Sequence, residues 1–160
     1  WSALTAGHVQ ASLFQAPFTL RARKAGYVSL LDFATQDFEY ILSGVLTTRS
    51  FINSDRDTAM NFMRGLADGM DFYRDERSRE KTMSYLREYY RSNADEELEE
   101  TINMYSRVTP GLPAVTAKSI ENVIVSDGDL SGMGLKAADM LDLSFLQKLA
   151  EERKAKGKES

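Results

Sequence analysis

Glycine and proline divide the start of this chain in a way that strongly limits its fold. Gly7 and Gly26 each follow a helix-like stretch and precede a short apolar run, and Pro17 lies between the two runs. Glycine often ends a helix in the left-handed conformation, and proline is favoured in a first helical turn. The pattern predicts a strand at residues 9–14, a helix after Pro17 and a second strand at residues 27–33. This is the arrangement of an α/β crossover between parallel strands.

Downstream, the sequence predicts one more strand and then helices. Residues 41–48 form a third apolar run. Helix starts are indicated where a capping residue precedes apolar residues at helical spacing; these capping residues are Ser54, Ser78, Asp95 and Thr116. Phe62 and Leu66 lie on the expected buried face of the helix that follows Ser54. Residues 126–134 are predicted to be a loop, residues 136–152 to hold one or two short helices, and residues 154–160 to form a solvated tail.

Composition excludes several classes of function. The chain has 160 residues, a net charge of −4 and no cysteine, and its basic residues are spread out. Nucleic-acid-binding proteins favour basic stripes, and thiolate metal sites need cysteine. No apolar stretch is long enough to span a membrane. His8 is the single histidine, and no nucleophile elbow or phosphate loop occurs. We therefore predict no enzymatic activity, no cofactor and no metal site.

Four segments in order carry a family resemblance. They are residues 4–11 followed by Pro17, residues 24–30, residues 57–73 and residues 139–149. Their order and spacing resemble the extracytoplasmic solute-binding proteins of ABC importers, in particular the nitrate/sulfonate/taurine and thiamine-precursor-like group. The resemblance covers nearly the whole chain. It implies a protein that captures a small organic solute and delivers it to a membrane permease.

The resemblance also implies an architecture. The expected fold class is α/β, a partial type II periplasmic-binding-protein fold with a helix-rich C-terminal portion. Residues 1–46 would belong to the second lobe, and residues 47–160 would cross the hinge and return as helices to the first lobe. The chain would be the second half of a larger fold, so we expect the fragment to dimerise, to swap elements with a second copy or to depend on the absent half. The implied location is periplasmic or extracytoplasmic, including a membrane-anchored lipoprotein.

The candidate ligand-binding residues lie where predicted strands end. Ser12, Phe14 and Gln15 end the first strand, and ligands of open α/β sheets bind at the carboxyl ends of strands. The helix after Pro17 would offer free amide donors to an anionic group. The resemblance places the same segment in the cleft between the lobes, and it places Thr47 and Thr48 beside the hinge. The predicted solute is therefore polar or anionic.

Three alternatives stay open at this point. The five candidate residues are also compatible with ordinary packing or strand-end roles. The chain as a whole is also compatible with a helical interaction or regulatory domain, although the predicted strands argue against it. A thiamine-pyrimidine synthase-like enzyme on the same fold is the third alternative. That group uses histidine and cysteine, whereas this chain has one histidine and no cysteine.

Overall fold

A computed structural model describes residues 1–41, 43–109, 111–155 and 157. The α-helices are α1 (Ser2–Thr5), α2 (Phe18–Lys24), α3 (Arg49–Ser54), α4 (Arg56–Arg74), α5 (Arg79–Tyr90), α6 (Asp95–Val108), α7 (Ala117–Ser126), α8 (Gly128–Ser131), α9 (Ala137–Met140) and α10 (Ser144–Ala155). Two 3₁₀ turns occupy Phe33–Thr35 and Glu76–Ser78. No strand occurs in the described part of the chain, so all of its regular secondary structure is helical.

The predicted α/β fold, a partial type II periplasmic-binding-protein fold, is therefore wrong. Where the structure describes them, residues 9–14, 27–32 and 41–48 have irregular backbone; Leu42, within the third predicted strand, lies outside the described residues. An apolar run becomes a strand only when a neighbouring strand pairs with its N–H and C=O groups, and β-propensity depends on that context. These runs lack such pairing among the described residues. Most of their side chains are accordingly exposed, as at Leu30 (83%) and Leu46 (92%), whereas Phe14 and Ile41 are half-buried.

Helix boundaries follow local capping chemistry. Thr116 caps α7 as predicted, because its hydroxyl oxygen accepts a hydrogen bond from the Ser119 backbone N–H at 3.0 Å. The start predicted at Ser54 is displaced, since Ser54 ends α3 and the Asp55 carboxylate accepts from the Thr58 N–H at 3.1 Å. Asp95 lies inside the first turn of α6 and does not occupy the capping position.

Of the remaining predictions for the C-terminal region, some are confirmed and others are wrong. Two helices begin in the region at residues 136–152, as predicted: α9 is short and lies within it, whereas α10 has 12 residues and continues to Ala155. The loop predicted at residues 126–134 instead contains α8, whose first turn is capped by the Asp127 carboxylate. Of the predicted tail, residues 154 and 155 end α10, and residues 156 and 158–160 lie outside the described residues.

The chain divides into two compact units, and each has its own small core. The first unit comprises Trp1–Ala34 and Phe72–Thr109, and the second comprises Thr35–Asp71 and Pro110–Ser160. The first core contains Met83, Leu98 and Ile102, with Tyr73 and Leu86 partly buried against them. The second core contains Met60, Ala67, Phe145 and Leu149. The lobe assignment expected from the resemblance, at residues 1–46 and 47–160, stays a prediction.

The buried face of α4 differs from the predicted one. Met60 and Ala67 are buried on α4, and Met63 packs against them. Phe62 is 57% exposed, so its predicted burial is wrong, and Leu66 is half-buried. Successive residues of an α-helix are rotated by about 100°, so Phe62 points about 200° away from Met60. None of the helices in the described ranges combines the length and the apolar composition needed to cross a bilayer.

Candidate functional site

The five candidate binding residues belong to different units. Ser12, Phe14 and Gln15 lie in the irregular segment before α2, in the first unit, and Thr47 and Thr48 lie before α3, in the second. Thr48 caps α3, since its hydroxyl oxygen accepts a hydrogen bond from a backbone N–H of that helix at 3.1 Å. Ser12 and Thr47 are exposed. Of the two candidate segments, the one around Gln15 has contacts with both polar and aromatic side chains among the described residues.

Gln15 is held at both its backbone and its side chain. Its carbonyl oxygen accepts hydrogen bonds from the N–H groups of Phe18 at 2.9 Å and Thr19 at 3.3 Å, which fixes it at the start of α2. Its Oε1 accepts a hydrogen bond from the Tyr105 hydroxyl of α6 at 3.2 Å. The Nε2 group makes no hydrogen bond to a described residue, and an amide nitrogen carries two donors. Gln15 therefore presents two oriented donors at the surface.

An aromatic cluster contains the residue that precedes this glutamine in the chain. We define the N-terminal aromatic cluster as Trp1, Phe14, Phe18 and Tyr27. The Trp1 ring centroid lies 5.8 Å from that of Phe14 and 6.2 Å from that of Tyr27, and Phe14 stacks on Phe18 at 6.3 Å. These separations are typical of favourable aromatic pairs. Phe14 is half-buried and packs within the cluster. It also directly precedes Gln15 in the chain.

Neutral phenols lie near the polar end of the site. Burial raises the pKa of Tyr73 to about 12, although nearby Arg79 opposes that shift, and its hydroxyl donates to the Thr101 carbonyl at 3.2 Å. Burial also raises the pKa of Tyr90, and Tyr105 adds to that increase. Both hydroxyls stay protonated at neutral pH, and that of Tyr73 donates a hydrogen bond. The two phenols near Tyr105 are thus uncharged.

The acidic N-terminal half of α6 is an ion-pair surface. Each of its five carboxylates pairs with a cation of α2 or α5; the pairs are Arg87–Asp95, Lys24–Glu96, Arg21–Glu97, Arg79–Glu99 and Arg23–Glu100. The hydrogen bond from Arg21 lowers the pKa of Glu97, and that from Arg87 lowers the pKa of Asp95. Acidic residues are favoured at a helix N-terminus in any case. The signal in the sequence for their pairing is the presence of the cations of α2 and α5.

Sequence reasoning missed two members of the site, Tyr105 and Trp1. Tyr105 follows the spacing of the inward residues of α6, which gave no sign of its contact with a residue 90 positions away. Among the described residues, no group of three or more acidic, histidine or cysteine side chains is suited to a metal ion, and His8 is exposed. No family model, no curated protein and no solved structure matches this chain.

Proposed function

We propose that this chain binds a small organic solute through a polar or anionic group, as part of the solute-binding component of an ABC importer. The ordered motifs of the sequence support the class of protein. The observation that carries the proposal is the position of Gln15, which accepts a hydrogen bond from Tyr105 through Oε1 and directly follows Phe14 of the N-terminal aromatic cluster in the chain. Small-molecule sites typically combine apolar and aromatic walls with a few well-placed polar groups.

Recognition would depend on the orientation of the hydrogen-bond donors of Gln15 and would involve no covalent reaction. The hydrogen bond from Tyr105 to Oε1 leaves the donors of Gln15 directed away from that partner. An oxygen of a sulfonate, carboxylate or similar group would accept a hydrogen bond from Nε2, while Phe14 and Trp1 contact its apolar part. Hydrogen bonds to a charged group are stronger than neutral ones, so an anionic solute is favoured.

Isothermal titration calorimetry with taurine and with methanesulfonate tests the proposal. Gln15→Ala should weaken binding by about 1–3 kcal/mol, because the buried oxygen of the solute loses its donor. The melting temperature of the empty protein should not change, since Gln15 is exposed. Gln147→Ala, which truncates an exposed glutamine of α10, is the matched control and should leave affinity unaltered. Equal affinities for the Gln15→Ala variant and the parent protein would reject this site.

A second candidate, a helical interaction or regulatory domain, is favoured by a specific observation. The described chain contains helices and no strand, and several large apolar side chains are exposed. Exposed apolar surface commonly marks contacts with other macromolecules. A domain of this kind would give no heat with either sulfonate, so the same calorimetry separates the two candidates.

Other expectations about this protein stay predictions. They are the absence of enzymatic activity, contact with a membrane permease, an extracytoplasmic location, and self-association by dimerisation or exchange of elements. Analytical ultracentrifugation over a range of concentrations tests self-association directly. Fractionation of cells that express the full-length protein tests its location.

A further inference from the structure

Helix α2 buries less than α5, the other helix that forms ion pairs with α6. No residue of α2 is fully buried within the described structure, although Leu20 and Ala22 are half-buried. Helix α5 packs on the same α6 and contributes Met83 to a core with Leu98 and Ile102. Both helices also form ion pairs with α6. Because α2 contributes no fully buried residue, its contact with α6 depends more on ion pairs than that of α5 does.

The charged contacts of α2 lie close together at its C-terminal end. Arg21 binds Glu97 through two parallel hydrogen bonds, Nε to Oε1 at 2.8 Å and Nη2 to Oε2 at 2.6 Å. Arg23 pairs with Glu100, and Lys24 pairs with Glu96. The three cations are between about two-fifths and one-half exposed, so dissolved salt reaches these pairs. Exposed ion pairs are individually weak and are screened by salt.

The position of α2 determines the geometry of the candidate site. Gln15 is bonded through its carbonyl oxygen to the first turn of α2, and its side chain contacts Tyr105 of α6. Phe18, the first residue of α2, stacks on Phe14 in the N-terminal aromatic cluster. A displacement of α2 from α6 would therefore separate Gln15 from Tyr105 and change the packing around Trp1 at the same time.

We propose that α2 is a reversible latch on α6, closed by the Arg21–Glu97, Arg23–Glu100 and Lys24–Glu96 pairs, and that its release separates Gln15 from Tyr105 and so removes the candidate site. The consequence for solute binding rests on the function proposed above, whereas the latch itself needs no solute. Conditions that weaken the three ion pairs take the site apart, and conditions that strengthen them keep it assembled. Solute affinity would therefore fall as the ionic strength rises.

Trp1 is the single tryptophan of the chain and belongs to the cluster that α2 completes, so its fluorescence reports the latch. Raising NaCl from about 10 mM to about 1 M shortens the screening length from about 30 Å to about 3 Å. We expect the Trp1 emission to shift to longer wavelength and its quenching by acrylamide to increase. The helical signal in far-UV circular dichroism should fall by no more than the contribution of α2, because α5 and α6 stay packed.

Charge variants separate the latch from general effects of salt. Arg21→Glu should reproduce the emission shift at low salt, because two carboxylates then face each other. The exchange Arg21→Glu with Glu97→Arg should restore the parent emission. Arg77→Glu is the matched control for the change in charge, since Arg77 pairs with Asp75 within its own 3₁₀ turn region and should have no effect on Trp1.

Three results would overturn the latch. The first is a Trp1 emission independent of salt, and the second is an exchange variant that behaves like Arg21→Glu alone. The third is loss of most of the helical signal in Arg21→Glu, which would mean that these pairs hold the whole unit together. If the latch opens with salt as expected but neither sulfonate binds at low salt in calorimetry, the proposed function fails and the latch stands.

Discussion

Arg153 is an informative residue to substitute because it carries a buried charge on the last helix. It is 6% exposed, and its Nη1 donates to the Gly111 carbonyl at 3.1 Å while its Nη2 donates to the Asp71 carboxylate. Its buried Nε has no hydrogen-bond partner in the described part of the chain. The Asp71 side chain, in contrast, is 31% exposed. The two members of this pair therefore respond differently when the other is removed.

Removal of the aspartate should cost more than removal of the arginine. Asp71→Ala leaves a buried guanidinium without its carboxylate, which typically costs about 3–5 kcal/mol. Arg153→Met removes the buried charge and leaves Asp71 within reach of water. That change loses two hydrogen bonds, together worth about 2–4 kcal/mol, and it recovers the desolvation penalty of about 1–3 kcal/mol for the unpaired Nε. We expect Arg153→Met to destabilise the second unit by about 1 kcal/mol net.

The measurement must report on the second unit alone, because the two units need not unfold together. Hydrogen exchange at the amides of α10 gives the opening free energy of the segment that carries Arg153. Arg64→Met is the matched control: Arg64 also pairs with α10, through Glu152, but its side chain is 37% exposed. Its loss should cost less than about 1 kcal/mol. A cost for Arg153→Met equal to or above that for Asp71→Ala would refute this account of the pair.

Three further predictions test the core, the charges and the backbone. Leu98→Ala should destabilise the first unit by about 2–5 kcal/mol, whereas Phe62→Ala should change stability by no more than about 0.5 kcal/mol; urea unfolding that reversed this order would contradict the assignment of the buried faces. The folded-state pKa values of Asp95 and Glu97 are lowered, so their contribution is present at neutral pH and is lost as the pH falls below about 4; an acid titration followed by circular dichroism should show stability falling, and a rise would contradict the assigned pairs. Gly26 has φ of +85°, so Gly26→Ala should cost about 1–2 kcal/mol, and thermal melting that showed no loss would contradict that backbone geometry.

Several local features follow from the sequence because the atoms that decide them are close along the chain. Gly7 and Gly26 adopt left-handed conformations after helices, with φ of +73° and +85°, as predicted. Pro17 immediately precedes α2, and Thr116 caps α7 with its own hydroxyl. A cap, a left-handed turn and a proline start each depend on only a few neighbouring residues. The sequence therefore predicted these four features, although it misplaced the starts of α4 and α6 by one residue each.

The tertiary structure determined which segments pack against each other. The apolar runs predicted as strands have irregular backbone in the described ranges, because a strand depends on hydrogen bonds to a segment that local sequence does not specify. Phe62 is exposed because the packing of α10 on α4 selects the face that contains Met60 and Ala67. The contact of Gln15 with Tyr105 joins residues 90 positions apart. Helical spacing determines which side chains share a face, but only the packing of distant segments determines which face is buried and which side chains meet.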